Sequence, residues 1–184
     1  MKRVVLSEID LTFGKVESPK GFEIDRSKIK NDIISSYIQK KRISENKKDY
    51  SYHDYEVPFS QPLQWLQDYL RDHFRLEYNK TLVLKQNIGL VLEKKQRSFT
   101  RNLVEPLDLL HAPDYTCIYG VDIDEKEELE LVILYDDNRR VNRTWHINLH
   151  NNEYVIFPSI QKFFINESKS SKLQTLLISS YEYI

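Results

Sequence analysis

This sequence is short of cysteine, glycine, alanine and long apolar runs. Cys117 is the sole cysteine in 184 residues. That excludes an intramolecular disulfide and a zinc site built on paired cysteines. Its neighbours Thr116, Ile118 and Tyr119 predict a buried strand position, where cysteine acts as a small hydrophobe. A catalytic thiol would need exposure and a nearby base. No segment approaches the roughly 20 apolar residues of a membrane-spanning helix. The first ten residues carry no long apolar run either, so no signal peptide is expected. These absences lead to the expectation of a soluble cytoplasmic protein with no membrane partner. Charge of one sign is also missing: 27 basic residues balance 28 acidic ones. That argues against an extended footprint for nucleic acid. The sequence also contains no Gly-rich phosphate loop, no Gly-x-Ser-x-Gly elbow and no Cys-x-x-Cys.

Aromatic residues are abundant instead. Twelve Tyr and eight Phe, with only four Gly, favour β-structure built on aromatic and branched side chains. The length suits one compact domain, read as an N-terminal part over 1–80 and a β part over 81–184. Arg3 to Leu6 is a candidate edge strand. Asp25 is a plausible N-cap for a helix over Ser27 to Ile43, where Ile29, Ile33, Ile34, Tyr37 and Ile38 form one apolar face. The basic run Lys40 to Lys48 reads as a solvated helix end, with nucleic-acid binding as the rival. The segment from Ser51 to Ser60 reads as an aromatic-rich loop that caps a core. A second helix starts at Ser60 or Gln61, with Pro62 in its first turn and Leu63, Leu66, Tyr69, Leu70 and Phe74 as its stripe. His73 falls near its C-terminal end, where a cation suits the helix dipole.

From Thr81 onward the pattern alternates. Strands are expected over Thr81 to Gln86, Ile88 to Lys95, Tyr115 to Asp122, Leu129 to Tyr135, Arg143 to Leu149, Glu153 to Phe157, Lys162 to Asn166 and Leu173 to Tyr183. Ser98 to Leu107 reads as loop. Asn151-Asn152 marks a tight turn, because Asn tolerates positive φ. Many strands after two helices predict an α+β fold. It is mainly a β jelly-roll, a cupin-like double-stranded β-helix barrel, buttressed by two N-terminal helices.

The second half resembles the double-stranded β-helix of iron, 2-oxoglutarate-dependent oxygenases, in particular the prolyl-hydroxylase-like and bacteriophage-encoded branch. His111-Ala112-Pro113-Asp114 precedes Tyr115-Thr116-Cys117-Ile118-Tyr119 where that family has a His-x-Asp before a strand. Tyr154-Val155-Ile156-Phe157-Pro158-Ser159 is similar to the strand ahead of the family's distal histidine. The resemblance implies a facial triad of two histidines and one carboxylate, with open positions for oxygen and 2-oxoglutarate. Here the carboxylate position holds Pro113, the distal-histidine position falls on Phe163, and the anchoring arginine is replaced by Gln174 or Thr175.

Two functional readings follow. In the first, the metal ligands are lost, no cofactor is bound, and the jelly-roll is a non-catalytic binding or structural component. The resemblance then implies a bacteriophage virion or accessory protein, resident in the host cytoplasm or the virion, with protein partners that include other phage structural subunits. Phe163 and Phe164 would fill the apolar barrel mouth. In the second, His111, Asp114 and His146 rebuild an iron site, and Arg139, Arg140 and Arg143 hold 2-oxoglutarate. His146 and His150 would share a face on an unbroken strand. A cupin-type metal isomerase shares that requirement.

Overall fold

The computed structural model describes residues 9–20, 22–44, 55–104, 111–136, 140–141 and 143–184. The element order is β1 (Thr12–Lys15), α1 (Arg26–Ser44), β2 (Tyr55–Glu56), α2 (Gln61–Tyr78), β3 (Leu82–Leu92), β4 (Tyr115–Asp122), β5 (Leu129–Tyr135), β6 (Arg143–Leu149), β7 (Glu153–Pro158), β8 (Lys162–Ile165) and β9 (Gln174–Tyr183). Six strands form one sheet in the order β1-β7-β4-β9-β3-β2, and three form another in the order β6-β5-β8. All pairings are antiparallel.

Period-2 alternation builds the sandwich. On β9, Leu176 and Ile178 join the cluster between the sheets, while Leu177 and Tyr181 join the cluster under the helices. The three-stranded sheet contributes Leu129, Leu131 and Ile133 of β5, Leu149 of β6, and Phe163 and Ile165 of β8 to the inner cluster. The fold is therefore the expected α+β jelly-roll. It is an open two-sheet sandwich, because the short sheet ends at β6 and β8 and does not close on the longer one.

Both helices pack on the outer face of the six-stranded sheet. Asp25 caps α1, its Oδ1 accepting the Lys28 N–H at 2.9 Å. Ile29 and Ile33 are fully buried. Gly89 lets the helix approach, since a Cβ there would lie 2.6 Å from Ile33 Cγ2. α2 buries Leu63, Leu66, Leu70 and Phe74, the stripe read from its sequence. Its Gln67 enters the helix–sheet layer as well. Gln67 Nε2 donates to Asn87 Oδ1 and Ser179 Oγ, both at 3.2 Å, and Oε1 accepts from the Tyr181 hydroxyl. Burial pushes the Tyr181 hydroxyl well above its ordinary pKa, so it remains a donor.

Several local expectations change. The first described strand is Thr12–Lys15; Arg3 to Leu6 lies outside the described residues, as do parts of the basic run and of the aromatic loop. The two runs on either side of Asn87 are one strand, β3, with a register shift between Leu84 and Gln86. Tyr55–Glu56, read as loop, pairs with β3. The Asn151-Asn152 turn is present, with Asn152 at φ 66°. Its side chains also clamp the hairpin. Asn151 exchanges bonds with the Ile123 backbone at 2.7 and 2.8 Å. Asn152 donates to the Val16 carbonyl at 2.8 Å and accepts from the Tyr119 hydroxyl at 2.7 Å.

Two substitutions test this packing. A Cβ on Gly120 would lie 2.2 Å from the His150 carbonyl oxygen. Gly120→Ala is expected to cost about 2 kcal/mol or more, read from the urea unfolding midpoint, because the contact is backbone and yields poorly. Tyr181→Phe leaves Gln67 Oε1 buried without its donor and is expected to cost about 1–3 kcal/mol by the same measurement.

Candidate functional site

The interior between the sheets is where the resemblance places an iron site. Phe163, on β8, points into it and is 1% exposed. Its ring meets Phe157 edge-on, with centroids 5.4 Å apart. Its backbone exchanges hydrogen bonds with Arg101 at 2.8 and 2.9 Å, which fixes the strand position from which the ring projects. The same buried cluster contains Leu90 and Leu92 of β3, Ile118 of β4 and Ile178 of β9. Phe164 faces the other way, with the Arg97 guanidinium over its ring at 3.8 Å. Of the two phenylalanines expected at the barrel mouth, one fills the interior and the other lies on the outer face.

Polar groups stand at two ends of this interior. Thr116 and Ser159 share a buried hydrogen bond of 2.8 Å. Gln174, at the position read for the anchoring arginine, is 1% exposed. Its Oε1 accepts the Asp124 N–H at 2.8 Å and its Nε2 donates to the Lys172 carbonyl at 2.9 Å. That amide is committed to its own loop. Thr175 faces the helix side, where its Oγ1 has no hydrogen-bond partner.

The candidate ligands lie in different places. His111 is exposed, and its carbonyl accepts from Lys85 Nζ at 2.6 Å. Asp114 is exposed just before β4, with Oδ2 accepting the Tyr183 N–H at 3.1 Å. His146 sits opposite Val132 in the β5–β6 ladder, on the face away from the inner cluster. Its Nδ1 is 3.1 Å from Glu130 Oε1. Among the described residues, no three His, Cys, Asp or Glu side chains gather as metal ligands. An inner-face phenylalanine, an outward histidine and a committed glutamine do not form the two-histidine, one-carboxylate set that iron requires. Arg139 lies outside the described residues. Arg140 and Arg143 are exposed. His150 is exposed in the hairpin, with its carbonyl against Gly120.

The outward position of His146 carries a readable sequence signal. Trp145, Ile147 and Leu149 alternate with it, and an apolar alternate set faces the core. His73, read against the helix dipole, also stacks on Tyr69 with ring centroids 5.5 Å apart. Cys117 is buried as expected, and burial raises its thiol pKa. A groove of about 410 Å³ runs along β1 and α2, with Lys15, Tyr69, His73, Glu77, Tyr78 and Tyr154 among its lining. No described helix is long and apolar enough to cross a membrane.

No protein-family model and no curated protein matches the sequence. Solved structures do match the fold. A non-haem α-ketoglutarate-dependent carbocyclase, SnoK from nogalamycin biosynthesis, superposes with a TM-score of 0.58 at 8% identity, covering 93% of this chain and 79% of that one. A Pseudomonas putida prolyl-4-hydroxylase gives 0.52 at 10% identity, covering 94% and 84%. HygX from Streptomyces hygroscopicus, solved with nickel and 2-oxoglutarate bound, gives 0.53 at 12% identity, covering 80% and 77%. This chain has the double-stranded β-helix fold of the iron/2-oxoglutarate oxygenases.

Proposed function

We propose that the protein is a non-catalytic jelly-roll of oxygenase-like fold that works as a binding or structural component. Phe163 carries this reading. It occupies the strand position that the resemblance gives to the distal histidine, and its ring is part of a packed apolar cluster. An aromatic ring there offers iron no lone pair and takes up the space a ligand would need. The Gln174 amide supports the same reading, since its two ends are already hydrogen-bonded within the chain.

The rival is an iron/2-oxoglutarate oxygenase with a rearranged site. The fold favours it, and it requires His111, Asp114 and His146 to converge. Their separate hydrogen-bond partners count against that arrangement. The proposed setting, a bacteriophage virion or accessory protein with phage structural subunits as partners, rests on the sequence resemblance alone.

Two measurements test the reading. Protein purified under anaerobic, reducing conditions and supplied with ferrous iron and 2-oxoglutarate is expected to retain no stoichiometric iron. It is also expected to release succinate no faster than buffer. Stoichiometric iron together with succinate release would overturn the proposal. Phe163→Ala is expected to cost about 3–5 kcal/mol in urea unfolding, the range for a phenylalanine in a packed core. A cost under about 1 kcal/mol would mean the ring lines an open site.

A further inference from the structure

A two-sheet sandwich has four edges, and each edge strand offers unpaired N–H and C=O groups to any chain that can reach them. Three of the four are short or at least partly covered. Along β1, the Tyr69 hydroxyl accepts the Glu17 N–H at 3.2 Å and bonds the Lys15 carbonyl at 3.4 Å. β2 is only two residues long. Beside β8, the segment from Ser98 to Arg101 pairs with Phe163 and Ile165 through backbone bonds of 2.8 to 3.0 Å.

The fourth edge is β6. It pairs with β5 over all seven residues with no register break. Among the described residues, nothing hydrogen-bonds the backbone from Thr144 to Leu149 on the side away from β5. From Thr144 to Leu149 the strand has no proline, no lysine and no bulge; its one fixed charge, Arg143, is exposed at the first position. Its inward face also leaves apolar surface uncovered. Trp145, Ile147 and Leu149 point the same way as Ile133, Leu131 and Leu129. Leu149 is buried and Ile147 partly buried, but Trp145 is 51% exposed.

We propose that β6 pairs antiparallel with β6 of a second copy of this chain, about a two-fold axis at His146. The sequence Thr144-Trp145-His146-Ile147-Asn148 is self-complementary in that register. A two-fold axis normal to the sheet keeps inward residues opposite inward residues, so opposed positions share parity. Centring the axis on His146 pairs Thr144 to Asn148 across the two copies. It sets Trp145 against Ile147 of the partner copy on the inward face, and Thr144 against its Asn148 on the outer face. An aromatic side chain opposite a β-branched one is a favourable cross-strand pair, as is a polar pair on the wet face. The two His146 side chains meet on the axis, each with Glu130 of its own copy 3.1 Å away. The short sheet becomes six strands across the dimer, and its free edge disappears. The pairing does not depend on whether the interior binds metal, so it stands apart from the non-catalytic reading.

Sedimentation velocity on the full chain, from about 1 to 100 µM, is the first test, because a self-association shows itself by mass action. A reversible dimer is expected. Trp145→Lys is expected to raise its dissociation constant by about tenfold or more, since the substitution removes the one large apolar side chain that β6 leaves exposed. The register has its own readout. Directly opposed antiparallel residues have Cα atoms about 4.5 to 5.5 Å apart, within disulfide range. Oxidised His146→Cys is therefore expected to run as a covalent dimer on a non-reducing gel. Thr144→Cys is the control: its two copies would stand four residues out of register, roughly 14 Å apart, and are expected to stay unlinked. Native Cys117 is 1% exposed and does not compete. A chain that stays monomeric throughout overturns the proposal. So does a dimer that Trp145→Lys leaves unchanged, or equal cross-linking of the two cysteine variants. If Trp145→Lys fails to fold, the cross-linking pair decides alone.

Discussion

The packing of the two sheets through their inner faces is the constraint on which the rest of this structure depends. The short sheet has three strands and no helix of its own among the described residues. Its stability comes from burying Leu129, Leu131, Ile133, Phe163 and Ile165 against β3, β4, β7 and β9. In an oxygenase that same interior must stay partly open, polar and able to hold water, metal and cosubstrate. A packed core and an open metal site are competing uses of one space. In this chain the Phe163 ring packs edge-on against Phe157 in that space.

The opposite face of the long sheet is organised differently. There the helical layer tolerates the buried Gln67 because Asn87, Ser179 and Tyr181 satisfy its amide. A fully bonded buried polar group restricts how a helix can slide on a sheet, since a shifted helix would leave it unpaired. The paired asparagines of the β6–β7 hairpin act similarly at the sandwich end. Their side chains tie the turn to Val16, Tyr119 and Ile123, three points distant in sequence. The turn residues serve tertiary structure as well as chain reversal.

Much of this was legible in the chain itself, for local reasons. The Asp25 cap, the α2 stripe and the strands from β4 onward follow from capping chemistry and periodicity, which act over a few residues. β1 and β2 escaped because four and two residues carry too little pattern; their strand character comes from β7 and β3 beside them. The join of two runs into β3 escaped because its register shift is visible only against β9. At the candidate site, the type of residue was legible but its direction was harder to read. Phe163, expected with Phe164 at the barrel mouth, lies in the inner cluster. Phe164 was paired with it although strand alternation turns adjacent side chains to opposite faces. His146 could have been assigned outward from Trp145, Ile147 and Leu149, had the apolar alternation been given precedence over the spacing to His150.

The central claim is that the space between the sheets is a packed apolar core. Paramagnetic NMR reads that space directly: cobalt(II) is titrated into the protein with 2-oxoglutarate present, and the signals of Phe157, Phe163 and Leu131 are followed. A core with no metal site is expected to leave those signals unshifted and unbroadened, with any effects confined to exposed groups such as His111 and His146. Saturable paramagnetic shifts centred on Phe163 and its neighbours at one cobalt per chain would contradict the account.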